Sequence, residues 1–334
     1  MTDKTAIVIT TINAPTRAVQ EIARDCHRLD AHFILIGDTK TPSGFEQTGA
    51  SYLDIDAQTQ TGFALARLAH TKHYARKNIG YLVAMRDGAD VIIETDDDNI
   101  PGETFWHPRT RHIAAPMVTA RTWSNVYRHF TDQPIWPRGL PLSEVRAGEP
   151  ALDTLTQAQA DSPIQQGLAD GDPDVDAIYR LLFPLPIHFT MGRTVLLDRS
   201  TWCPFNSQNT TFFRDAFPLM YLPFNCSWRV TDIWRSLIAQ RIGWENGWRL
   251  SFHSPSVFQD RNEHDLMRDF AEEVPGYLNN ARIQAGLANL SLGEGVSAIP
   301  DNLLRCYGLL IDMGLIPRDE LLLVNAWLAD LRGL

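Results

Sequence analysis

The chain has 334 residues and a mass of 37.7 kDa, enough to bury a large core as one big domain with an appendage. A hydrophobic content of 44% with 21% charged residues argues against wholesale disorder, and a formal net charge of −10 against a basic surface that coats nucleic-acid phosphates. The four cysteines, Cys26, Cys203, Cys226 and Cys306, lack C-x-x-C spacing, so neither a zinc site nor a disulfide framework is expected.

The opening MTDKTAIVITTIN enters a strand almost at once, without a basic stretch followed by a long apolar one. No apolar run nears the roughly 18 to 20 residues that span a bilayer, so a cytoplasmic protein without a membrane span is expected. TAIVITTI is β-branched and apolar and reads as the first strand. Pro15 and Thr16 then open a segment with Val19, Ile22, Ala23, Cys26 and Leu29 at helical spacing. HFILIG reads as a second strand ending in a turn and ASYLDID as a third; residues from about 57 to 87 read as helix, closed by Gly88 as a C-cap closes one. DVIIETDDD is the next strand.

Strands without period-two alternation, separated by helices, predict a mostly parallel central sheet covered on both faces, an α/β fold. Ligands of such sheets collect beyond the carboxyl ends of the strands. Thr10, Thr11 and Asn13 close the first strand, Asp38 the second, and Asp96, Asp97 and Asp98 the fourth, so a ligand site built by at least three strand ends is expected.

Residues 101 to about 180 are rich in Pro, Gly, Trp and Arg and show poor periodicity, which predicts long loops over the sheet edge, with Trp106, Trp123 and Trp136 as an acceptor platform. PLPIHFTMGRTVLLDRS is expected to be β, and Ile233, Trp234, Leu237, Ile238 and Ile242 form a helical stripe beginning just after Thr231 and Asp232. From about residue 262 the chain reads as helical, with no constellation of charged residues, and is expected to serve packing or homo-oligomerisation.

Adjacent carboxylates repel one another, and crowding them costs free energy unless a cation or positive groups neutralise them. Oxygen ligands suit magnesium or manganese, which take one or two carboxylates together with phosphate oxygens. A D-x-D at a strand end therefore reads as a metal-diphosphate clamp or, alternatively, as a solvated acidic turn. Arg76 and Lys77, on the helix before the acidic strand, could support phosphate charge or simply line an exposed helix face. Asp38 could accept from a nucleobase or ribose.

Three later stretches add polar groups for an acceptor or sugar. GDPDVDAIYRL carries Asp172, Asp174 and Asp176; PFNSQNTTFF carries Asn206, Gln208 and Asn209 beside aromatics; and RVTDIWR sets Asp232 between Arg229 and Arg235. A helix start and two arginines would hold Asp232 ionised, which tempers its strength as a base.

RKNIGYLVAMRDGADVIIETDDDN, PFNSQNTTFF and RVTDIWRSLIAQR resemble the STELLO-type glycosyltransferase-like proteins. TDIWR followed by FHSPS is also similar to the reversibly glycosylated polypeptides, which include UDP-arabinopyranose mutases. The resemblance covers residues 5 to 265 in blocks, and the last seventy or so residues contribute nothing to it. It implies a GT-A fold over residues 1–261, with a Rossmann-like nucleotide-binding half (1–100) and an acceptor half (101–261), followed by a C-terminal helical region (262–334). It also implies a D-x-D at Asp96 to Asp98 holding Mn2+ or Mg2+ on the donor diphosphate, His253 of FHSPS as a further metal ligand, and Asp232 as the catalytic carboxylate near the acceptor. The expected activity is a metal-dependent glycosyltransferase moving a sugar from a nucleoside diphosphate sugar, UDP-sugar favoured, to a hydroxyl of a carbohydrate acceptor. A UDP-sugar mutase and a non-catalytic scaffold for other glycosyltransferases are the alternatives.

Overall fold

A computed structural model describes residues 4–45, 48–262 and 265–334. The expected strand TAIVITT is β1 (Thr5–Thr11), and the helix after it is α1 (Arg17–Leu29). Thr16 caps α1 by accepting the Val19 amide at 3.2 Å, and Val19, Ile22, Ala23 and Cys26 form its buried face. Next come β2 (His32–Gly37) and β3 (Ser51–Leu53).

The single helix expected over 57–87 is instead divided into α2 (Ile55–Gln60), α3 (Ala64–Leu68), a 3₁₀ turn at Tyr74–Arg76, and α4 (Lys77–Arg86). The reason is capping. Asp54 accepts the Ala57 amide at 2.8 Å, and Asp330, from the far end of the chain, accepts those of Ala64 and Leu65 at 2.8 and 2.9 Å. Gly88, at φ 83°, follows α4 as expected, and β4 (Val91–Thr95) delivers the acidic triplet.

The stretch expected as long loops holds β5 (Asn99–Pro101), β6 (His112–Val118), β7 (Thr156–Asp161), β8 (Ile164–Asp170) and α5 (Ala177–Leu182). These strands escape a periodicity search because β7, TQAQAD, is polar and half exposed, while β8 buries Gln165 and Gln166 through hydrogen bonds rather than apolar contact. There follow β9 (Thr194–Leu197), β10 (Asn209–Phe213), α6 (Thr231–Glu245) and β11 (Leu250–Gln259). The C-terminal helices are α7 (Leu266–Asn289), α8 (Ile299–Asp312) and α9 (Glu320–Arg332).

The strands form one 11-stranded sheet in the order β3-β2-β1-β4-β10-β8-β11-β9-β6-β7, with β5 paired to β11. From β3 to β4 every pairing is parallel; antiparallel strands enter with β10, which runs against both β4 and β8. This is the expected α/β arrangement with a central sheet: a parallel, Rossmann-like half joined through β10 to a second, mixed half. Because β8 and β11 run parallel to each other and to β4, the carboxyl ends of β1, β2, β4, β8 and β11 lie along one edge.

Two apolar layers cover the sheet. One packs α1 against Ile7, Ile9, Phe33 and Ile93; the other packs α4 and α6 against Val8, Ile34, Ile92 and Phe212. The C-terminal helices share the second layer through Ile283, Leu303, Tyr307, Val324 and Trp327. Contrary to expectation they also carry paired, buried charges: Glu273 with Arg229, Asp269 with Arg261, and Glu320 accepting from Tyr221 and the Asn225 amide. Among the described residues no helix is long and apolar enough to cross a membrane.

Candidate nucleotide-sugar site

The carboxylates of the triplet have three different environments. Asp96, 28% exposed at its side chain, accepts at Oδ1 from Lys77 Nζ at 2.8 Å and from the Tyr74 hydroxyl at 2.7 Å. Lys77 is fully buried and also donates to the Ser207 carbonyl at 3.1 Å, so α4 supplies a desolvated cation directly behind the triplet. Asp97 turns toward β1: Oδ2 accepts from the Thr11 hydroxyl at 2.5 Å and Asn13 Nδ2 at 3.0 Å, and Oδ1 from Asn262 at 3.2 Å. Burial raises its carboxyl above the usual range, against the pull of Thr11 and Asn13.

Asp98 is buried, and its Oδ2 accepts from Gln259 at 3.2 Å and the Asn262 amide at 3.3 Å. Its Oδ1 is buried with no hydrogen-bond partner. Burial first, then Asp96 and Asp97, push this carboxyl up to about 7. An unsatisfied buried carboxylate oxygen beside two other carboxylates is the donor set that a hard divalent cation neutralises. Among the described residues no three His, Cys, Asp or Glu side chains converge on one point. A cation here would thus be held by one or two carboxylates with phosphate oxygens and water making up the rest.

The other expected donor residues divide. Thr10 and Thr11 close β1, and Thr11 and Asn13 meet Asp97. Asp38 holds the chain ahead of α4 in place, accepting the amides of Lys72 at 2.8 Å and His73 at 3.0 Å. Arg76 is not brought to the triplet: its guanidinium binds Gln58 Oε1 and the carbonyls of Ala69 and His70. His253 is not brought there either. Its Nδ1 meets the Thr194 hydroxyl and its Nε2 the Ser251 hydroxyl, each at 3.0 Å, six positions before Gln259 on β11, about 20 Å of extended chain. Burial and Arg109 lower its imidazole to about 4.

In the second half of the chain the organising residue is Arg138, which sequence reasoning missed. It binds Asp174 through Nε at 2.8 Å and Nη2 at 2.9 Å, and Asp232 through Nη1 at 3.0 Å and Nη2 at 2.8 Å. Asp232 also accepts the amides of Ile233 at 2.9 Å and Ser207 at 3.2 Å and the Ser207 hydroxyl at 3.3 Å. Burial raises the Asp232 carboxyl, but Arg138, then Arg235 and the Ser207 amide, outweigh that and hold it below the usual range. Ionisation was expected from Arg229 and Arg235; Arg229 instead pairs with Glu273, and Arg235 with Glu94 at 2.6 Å. Five donors on a depressed carboxylate make Asp232 an anchor and a poor proton acceptor.

Ser207 ties the two halves together, since its hydroxyl meets Asp232 and also the Tyr74 hydroxyl, at 2.7 Å, that donates to Asp96. Gln208 donates to Gln259 at 2.6 Å, and Asn209 to the Leu168 carbonyl and Ser256 hydroxyl, so both brace the strand ends. Asp172 pairs with Arg180, and Asp176 caps α5 at Tyr179 and accepts from Trp136 Nε1 at 2.7 Å, with burial raising its carboxyl to about 6. Trp123 and Trp136 are buried in the core and present no acceptor platform. Tyr74, Ser207, Gln259 and Asn262 also went unnoticed in the sequence; the signal for Tyr74 was its place three residues before Lys77.

A family model described as STELLO glycosyltransferases matches residues 229–334. It therefore takes in the C-terminal helices, correcting the expectation that they contribute nothing to the resemblance. Two proteins of Arabidopsis thaliana, probable glycosyltransferases STELLO2 and STELLO1, are each 28% identical over 324 residues, covering 89% of this chain. The chain spans 41% of the length of these relatives. Among solved structures, glucosyl-3-phosphoglycerate synthase from Mycobacterium tuberculosis, crystallised with Mn2+ and UDP-glucose, aligns at 10% identity and a TM-score of 0.43 over 83% of this chain and 79% of that one. A further mycobacterial protein aligns at 8% identity and a TM-score of 0.43 over 87% and 78%. The chain is thus similar over most of its length to the STELLO-type glycosyltransferase-like proteins, and the family model matches its C-terminal part.

Proposed function

We propose that the chain is a metal-dependent glycosyltransferase that takes a sugar from a nucleoside diphosphate sugar, UDP-sugar favoured, and passes it to a hydroxyl of a carbohydrate. The observation that carries this reading is Asp98, whose Oδ1 is buried and unpartnered at the carboxyl edge of the sheet while its carboxyl is pushed up to about 7. Burying an ionised group without a partner is costly, and a site that bears this cost is suited to a ligand that removes it.

Asp98 and Asp96 would hold the cation, Mn2+ or Mg2+, which when bound neutralises charge on the departing diphosphate. Thr11 and Asn13 fix Asp97 in the wall of the site, and Lys77 balances Asp96 from behind. Asp232 with Arg138 holds Ser207, and through it Tyr74, in register with the triplet. A thermal-shift panel of UDP-, GDP- and CDP-sugars with manganese tests the proposal, because a ligand that binds only the native state raises its melting temperature. A rise with a UDP-sugar that disappears in excess chelator is expected; no rise with any of them refutes it.

A further inference from the structure

With Asp232 saturated by five donors, the proposed transfer needs another group to take the acceptor proton. We propose that His188, held by Asp170, is that group, an inference that rests on the proposed transferase activity.

Asp170 is the last residue of β8, on the same sheet edge as the triplet. In register it stands beside Phe258 of β11, and Phe258 stands beside Ile100 of β5, two residues after Asp98. Two strand spacings, about 10 Å, therefore separate Asp170 from Ile100, which follows the triplet directly on β5. A sugar linked to a diphosphate at the triplet can reach across that interval.

Asp170 is built to orient an imidazole. Its Oδ1 accepts the Phe189 amide at 2.8 Å, and its Oδ2 meets His188 Nδ1 at 2.8 Å. The loop that bears His188 is pinned to the end of β8 by a reciprocal pair of bonds, Gly171 amide to Ile187 carbonyl and the reverse, both at 2.9 Å. A carboxylate on Nδ1 fixes the tautomer and leaves Nε2 as the acceptor. Nε2 has no partner among the described residues, and the side chain is 66% exposed. The carboxylates that follow β8 are committed: Asp172 to Arg180, Asp174 to Arg138, and Asp176 to the cap of α5.

The surroundings suit a carbohydrate acceptor. Phe258 is 46% exposed, and its ring lies over Gly171, where a Cβ would come within 2.5 Å of it. Asp170 and Phe258, paired side by side in parallel register, face the same side of the sheet, so an apolar ring for stacking on a sugar lies next to the base.

In the step, the acceptor oxygen attacks the anomeric carbon as the bond from that carbon to the diphosphate oxygen breaks. The diphosphate leaves with the electron pair, and the acceptor proton passes to His188 Nε2. Asp170 stabilises the imidazolium and is a positioning residue.

The test uses the full chain with UDP-glucose and Mn2+, water serving as acceptor and UDP release as the readout, with donor binding measured in parallel. His188→Gly should bind UDP-glucose as the wild type does and release UDP at least about a hundredfold more slowly, the usual reach of general-base catalysis. Added imidazole should restore much of the rate, which it cannot do for a residue that only packs. His188→Gln should be equally slow and unrescued, while Asp170→Asn should lose a smaller part of the rate. Wild-type UDP release by His188→Gly, or a loss that imidazole leaves untouched, overturns the assignment and leaves the transferase reading standing. Failure of the wild type to bind UDP-glucose with Mn2+ overturns both.

Discussion

Arg138 grips Asp232 with two parallel hydrogen bonds, Nη1 to Oδ1 at 3.0 Å and Nη2 to Oδ2 at 2.8 Å, while holding Asp174 on its other edge. One buried guanidinium thus serves two buried carboxylates, and the loop around residue 138 is locked to the start of α6 just where Ser207 reaches across to Tyr74.

Removing the shared cation should therefore cost more than removing one of its anions. Arg138→Met leaves two buried carboxylates without their hydrogen-bonded partner and is expected to destabilise by about 3–5 kcal/mol. Asp232→Asn leaves Arg138 paired with Asp174 and should cost about 1–2 kcal/mol. The Asp232 carboxyl is held below its unfolded value of about 3.9, so its stabilisation is present above that pH and is lost as pH falls through the lower folded value. The deficit of Asp232→Asn should accordingly shrink in acid. Urea unfolding of both variants at pH 7 and pH 3 checks this; an Asp232→Asn protein of wild-type stability that turns over a hundredfold more slowly would instead identify Asp232 as the base.

Cation binding should depend on pH near neutrality. A proton on Asp98 competes with the metal, and that carboxyl lies at about 7, so the metal-binding form is depleted below this pH and complete above it. Affinity for Mn2+ in the presence of UDP-glucose should fall roughly tenfold for each pH unit below that value. Free Mn2+ measured by electron paramagnetic resonance between pH 5.5 and 8.5 follows the effect, and an unchanged affinity over that range speaks against Asp98 as a ligand.

His253→Ala should leave Mn2+ affinity as it is in the wild type. Both ring nitrogens are engaged by Thr194 and Ser251, well up β11 from the triplet, so the expected cost is local: two hydroxyls lose a partner, at about 1–3 kcal/mol of stability. The same resonance titration decides it, and a fall of tenfold or more would restore His253 to the metal shell.

The first, parallel half of the sheet was legible because each of its signals is local. β1, β2 and β4 are continuous apolar runs, Thr16 is an N-cap in its expected place, and Asp96, Asp97 and Asp98 crowd charge where no core could hold it unpaired. The second half was not legible, because its strands are stabilised by partners distant in sequence. Gln166 on β8 accepts the Asn206 amide, Lys77 meets a carbonyl 130 residues away, and Arg138 reaches 94 residues to Asp232. His253 was expected as a ligand from the resemblance carried by FHSPS, whereas its neighbours in space are two hydroxyls.

The central claim is that a cation on Asp98 holds the donor, and calorimetric titration of UDP-glucose into wild type and Asp98→Asn, each with Mn2+ and with excess chelator, tests it most directly. Asparagine keeps the size of the side chain and can still accept from Gln259 and the Asn262 amide, while the buried charge at Oδ1 is gone. The account predicts binding only to the wild type with Mn2+, and an Asp98→Asn protein that is folded and, without metal, at least as stable as the wild type at pH 8. Equal donor binding by the wild type in excess chelator, or by Asp98→Asn with Mn2+, would contradict it.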